Sequence, residues 1–103
     1  MTLPKTTKYI PTIMELLSDG KIHTRKDIIE YCIKEHKIKN EDFLVLKKDG
    51  KTPLVYNRIE WAYTYLYQVE LIDRVSQAHY RINSKGIEAF KNGAENIYEN
   101  YIK

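Results

Sequence analysis

Apolar residues recur at Ile10, Ile13, Met14 and Leu17, steps of three and four that place them on one side of a helix. Pro11 lacks an N–H and is tolerated in a first turn, so this helix is expected to begin close to Tyr9 and to close at Asp19-Gly20. Lys21-Ile22-His23 reads as a small strand or extended link. Thr24, with Asp27 three positions on, has the form of a capping box, and Ile28, Ile29, Cys32 and Ile33 carry a second helix to about His36. A further start signal, Asn40-Glu41-Asp42, opens a short segment whose apolar face is expected at Phe43, Leu44 and Leu46. A basic loop, Lys47-Lys48-Asp49-Gly50-Lys51, follows.

From Pro53 the periodicity is strongest. Val55, Ile59, Ala62, Leu66 and Val69 fall on one stripe, which predicts a helix of roughly fifteen residues with Asn57, Arg58, Trp61, Thr64, Tyr65 and Gln68 left for its other side. Residues 71–75 and 78–82 are short runs of branched and aromatic residues separated by Ser76-Gln77, the pattern of a hairpin. That turn has neither glycine nor asparagine, so its register is expected to be loose. Asn83 or Ser84 can cap a last helix through Ile87, Ala89 and Phe90, and Gly93 interrupts before Ile97, Tyr98, Tyr101 and Ile102. Residues 1–92 are read as one domain and 93–103 as a C-terminal helical tail.

The order of helix, short strand, helix, short helix, long helix, hairpin and helix predicts a mainly α fold with a small β-hairpin, a winged helix-turn-helix. At 103 residues, 43% hydrophobic and 30% charged, the chain suits one globular domain. A net charge of +3 is compatible with nucleic acid and does not by itself require it. The start Met1-Thr2-Leu3-Pro4-Lys5 lacks the features of a secretory signal, so a cytoplasmic location and no membrane partner are expected. Cys32 stands alone in a helical pattern and reads as structural. His23, His36 and His79 have no second ligand at metal-binding spacing. With no nucleophile constellation and no phosphate loop either, neither cofactor nor catalysis is expected.

Several separated pieces resemble one family in order: Lys8-Tyr9-Ile10-Pro11-Thr12-Ile13, Asp19-Gly20, Tyr56-Asn57-Arg58-Ile59-Glu60-Trp61-Ala62, Thr64-Tyr65-Leu66 and Tyr80-Arg81-Ile82. Together they resemble the N-terminal domain of Mrr-type restriction endonucleases, over about Leu3 to Phe90. The resemblance implies a winged helix that recognises double-stranded DNA, ahead of a separate nuclease domain that cuts modified DNA. The acids of this sequence are spread over helices and loops, without the paired acids and lysine of such a nuclease. The chain is therefore expected to be a recognition domain and not an enzyme. It departs from the family at Ser76-Gln77-Ala78, where glycine and basic residues are usual, and in the tail after Gly93.

Asn57 and Arg58 lead the expected DNA-binding residues, since such side chains bond adenine and guanine edges in the major groove. The alternatives are a helix cap for Asn57 and an ion pair with Glu60 or Glu41 for Arg58. Trp61, Thr64 and Tyr65 belong to the same segment, with Trp61 expected to spend its ring on packing. Lys48 and Lys51, with Lys47, precede the reading helix. Thr24, Arg25 and Lys26 open the second helix, where a phosphate would meet backbone N–H groups. Arg74 and Gln77, with His79, would project from the wing. Two other readings stay open. One is an interaction or dimerisation module using Tyr56, Tyr63, Tyr67, Tyr98 and Tyr101, suggested by nine tyrosines in the chain. The other is a dimeric transcriptional regulator reading two half-sites.

Overall fold

A computed structural model describes residues 3–103. The order is α1 (Thr6–Leu17), β1 (His23–Thr24), α2 (Arg25–Glu35), a 3₁₀ helix (Asn40–Leu44), α3 (Leu54–Gln68), β2 (Ile72–Ser76), β3 (His79–Ile82) and α4 (Ser84–Lys91). The chain ends in a 3₁₀ turn (Ala94–Asn96) and a π-helical turn (Tyr98–Ile102). The architecture is mainly helical with a small antiparallel sheet, a winged-helix-like fold.

The helices form where the apolar stripes predict them. Tyr9, Ile10, Ile13, Met14 and Leu17 of α1 meet Ile28, Ile29 and Cys32 of α2 and Val55, Ile59, Ala62 and Leu66 of α3 in one core. Each fully buried aliphatic side chain there contributes roughly 1.5–3 kcal/mol relative to exposure. Val69, expected to continue the stripe, is instead the half-buried residue that ends α3. The α2 capping box is complete: Asp27 N donates to Thr24 Oγ1 over 3.0 Å and Thr24 N to Asp27 Oδ2 over 3.1 Å.

α1 begins three residues before the expected position, at Thr6, with Pro11 inside it. The proline removes one backbone bond to the preceding turn. The helix extends through it because Leu3 and Tyr9 are buried ahead of it, and because Arg58 binds the carbonyls of Leu3 and Pro4 and so anchors the approach to the helix.

The 3₁₀ segment corrects another expectation. Leu44 is 78% exposed, and Val45 and Leu46 are exposed too, whereas Asp42 is buried. A single tight turn presents only a narrow inward face, and here Phe43 fills it against Tyr56, with ring centroids 5.5 Å apart. The Asp42 carboxylate closes the turn by accepting from Lys39 N.

β1 adds to the expected hairpin as a third strand, giving the order β1-β3-β2. The hairpin turn is Gln77-Ala78, one residue later than expected, with a bulge between Arg74 and Ser76. Ala78 supplies the left-handed residue (φ 59°) that glycine usually provides. Its carbonyl accepts a 2.9 Å bond from Arg25 N, tying the wing tip to the start of α2. α4 is capped by Asn83 and packs at Gly86, where a Cβ would collide with the Leu71 carbonyl. The tail returns to the same core, which contains the fully buried Ile97.

Candidate functional site

The helical repeat advances roughly 100° per residue, so Asn57, Trp61, Thr64 and Gln68 lie along one line of α3, opposite its core stripe. Asn57, Glu60, Trp61 and Thr64 line a shallow depression on that line. Trp61 is 46% exposed, and its ring lies 5.6 Å from that of Tyr65. The expectation that Trp61 packs into the protein is therefore corrected. Its position is diametrically remote from Ile59 and Leu66, on the side of α3 away from the core.

Arg58 points away from this line. One step beyond Asn57 on the helix, its guanidinium turns to the chain's beginning and Nη1 donates to the carbonyls of Leu3 (3.2 Å) and Pro4 (3.1 Å). It pairs with neither Glu60 nor Glu41, and reaching DNA from this position would break bonds that hold the entry to α1. Asn57 does not cap α3 either, since it lies a full turn inside a helix whose N-cap is Pro53.

Glu60 instead takes Arg25, whose guanidinium donates to its Oε1 across the α2–α3 boundary. That bond, more than any other influence, holds the Arg25 guanidinium above its ordinary pKa. Arg25 thereby joins three elements, because its backbone N–H is the donor to the wing carbonyl of Ala78. Thr24 is committed to capping, so its hydroxyl is already an acceptor for Asp27 N. Lys26 extends into solvent, 4.0 Å from Glu30. Arg25 and Lys26 also border a cleft between α2 and α3 floored by Ile29, Ile33 and Tyr56.

Lys48 and Lys51 are exposed on a turn whose two arms meet at the Leu46–Pro53 bridge, immediately ahead of α3. Asp49 organises that turn by accepting from Lys51 N, Thr52 N and Thr52 Oγ1, and those backbone bonds, foremost the one from Thr52, hold its carboxyl down at about 2. On the wing, Arg74 stands opposite Tyr80 and Asp73 opposite Arg81. Arg74, Gln77 and Arg81 are exposed, and His79 Nδ1 lies 2.6 Å from the Gln77 carbonyl oxygen. The structure thus gathers Asn57, Trp61, Thr64, Tyr65 and Arg25 near one surface. Lys48 and Lys51 stand beyond its α3 end, and Arg74 and Gln77 belong to the wing.

Two further charged residues stand on these surfaces, Glu60 in the depression on α3 and Arg81 on the wing. The alternation of β3 about the buried Ile82 marks Arg81 as outward-facing, whereas the Glu60–Arg25 pair spans 35 positions and leaves no local signal. Among the tyrosines considered for partner binding, Tyr63 is buried and rests 5.0 Å from the Tyr80 ring, and Tyr56, Tyr98 and Tyr101 pack half-buried against the core. Tyr67 is the exposed one of that set.

Burial pushes the Cys32 thiol up to about 12, which keeps it a protonated core group. Among the described residues, no group of three or more His, Cys, Asp or Glu could hold a metal ion. No helix of the described residues is long and apolar enough to cross a membrane.

No curated protein and no solved structure matches the chain. Residues 7–92, from the first turn of α1 to the residue that ends α4, match the Mrr N-terminal domain, and the chain belongs to that family.

Proposed function

We propose that this domain binds double-stranded DNA, in the cytoplasm and without catalysing a reaction, by laying the Asn57–Trp61–Thr64 line of α3 in the major groove. The observation that carries the reading is the partly exposed polar and aromatic line opposite the core stripe of the longest helix, in a domain of the Mrr N-terminal family. The 46% exposed Trp61, beside the Tyr65 ring and between Asn57 and Thr64, supports the reading by offering an aromatic face together with polar groups able to meet base edges. Asn57 reads a base edge, Thr64 and the Trp61–Tyr65 pair contact bases or sugars, and Arg25, Lys26, Lys48, Lys51, Arg74 and Gln77 meet the backbone. Arg58 and the Thr24 hydroxyl hold the scaffold instead.

The test is duplex binding across a salt series. About five neutralised phosphates give a slope of log affinity against log salt near −4 to −5, and a flat dependence overturns the proposal. Selection from random duplexes with and without modified bases then identifies the preferred site.

A further inference from the structure

The surface that would meet DNA contains an acid. A carboxylate is a poor choice against a polyanion unless it is neutralised or reads something specific. Glu60 is neutralised, since Arg25 holds its Oε1. Oε2 takes no hydrogen bond from the described residues, and Glu60 shares its depression with Asn57, Trp61 and Thr64. It is the seventh residue of α3, in the N-terminal half that recognition helices use for base contacts.

The ion pair has two effects on such a contact. It cancels the charge that would repel nearby phosphates, and it fixes the carboxylate, so less side-chain freedom is lost when a base is met. An ionised carboxylate can only accept hydrogen bonds. In the major groove, guanine offers two acceptors and thymine an acceptor and a methyl, so both repel it or leave it unpaired. Adenine places an acceptor, N7, beside its amino group, whereas cytosine offers an amino donor without one. Resting on the duplex-binding reading above, we infer that Glu60 is a specificity-determining residue that accepts a hydrogen bond from the exocyclic amino group of a cytosine in the major groove. Arg25 then orients Glu60 from one side and approaches a phosphate from the other.

The experiment is selection from random duplexes with the wild-type chain and with Glu60→Ala, Glu60→Gln and Arg25→Ala, each confirmed folded by thermal melting. The wild type should favour cytosine at one position by roughly ten- to a hundredfold. Glu60→Ala should flatten that position and leave the others. Glu60→Gln, isosteric and able to pair with adenine N6 and N7, should move the preference to adenine. Arg25→Ala should weaken binding to all duplexes and reduce the salt slope by about one, with cytosine still preferred. Unchanged preference in both Glu60 variants, or a uniform loss for all sequences in Glu60→Ala, overturns the inference and leaves duplex binding standing. A wild-type chain that binds no duplex at low salt overturns the reading on which it rests.

Discussion

The rings of Trp61 and Tyr65, one helical turn apart on α3, lie 5.6 Å between centroids with their planes tilted by 37°. Trp61 is the chain's one tryptophan and is 46% exposed, so its fluorescence reports the outer face of α3 and nothing else. It should be open to acrylamide in the free protein and shielded when duplex DNA is added. Trp61→Ala should weaken DNA binding while changing the unfolding free energy by no more than about 0.5 kcal/mol, because no core contact is lost. Unaltered quenching at saturating duplex would place the DNA on another face.

Arg58→Ala is expected to have the opposite signature. The substitution removes two charge-assisted bonds to the Leu3 and Pro4 carbonyls and should lower stability by about 1.5–3 kcal/mol. Duplex affinity, measured well below the melting temperature, should stay near the wild-type value. Urea unfolding and a binding titration on the same protein separate the two effects. A large affinity loss at unchanged stability would return Arg58 to the reading face.

Ala78 adopts φ 59° at the wing turn, a region where a Cβ crowds the backbone. Ala78→Gly relieves that crowding at some cost in unfolded-state freedom, for a net gain of roughly 0.5–1 kcal/mol. The gain should appear as a rise in Tm. The bond from Arg25 N to the Ala78 carbonyl uses the backbone alone and should persist, so the variant keeps its DNA affinity.

His36 sets a pH dependence. Its Nε2 lies 2.7 Å from Thr12 Oγ1, its ring meets the Tyr9 ring edge-on at 4.8 Å, and burial holds its pKa below the ordinary 6.5. The unfolded chain therefore takes up a proton at higher pH than the folded one. The associated stability is present above pH 6.5 and is lost as pH falls through the lower folded value. Asp19 and Asp27 are also held below their ordinary 3.8, chiefly by backbone bonds from Lys21 and Thr24, so their losses fall in a separate, more acidic window. Urea midpoints at pH 7.5 and 5.5 should differ in the wild type and converge in His36→Gln. Equal differences in the two proteins would dismiss His36 as the source.

Much of the fold is legible in local patterns. The stripe through Val55, Ile59, Ala62 and Leu66, the Thr24–Asp27 box and the Asn83 cap each involve residues within a few turns of one another, where helical geometry alone dictates the neighbours. The order of motifs likewise carried the family. The same periodicity assigns Asn57, Arg58 and Trp61 to angles around α3, and an angle is all it supplies.

What occupies each angle depends on distant chain. Arg58 is held by carbonyls 55 and 54 positions away, and Glu60 is claimed by an arginine 35 positions away. Trp61 is left 46% exposed because it lies on the side of α3 opposite the stripe through Ile59 and Leu66, which is the side that packs into the core. Helix position is set by forces acting over three or four residues, and the identity of a side chain's partner by packing that only closure of the whole chain brings about.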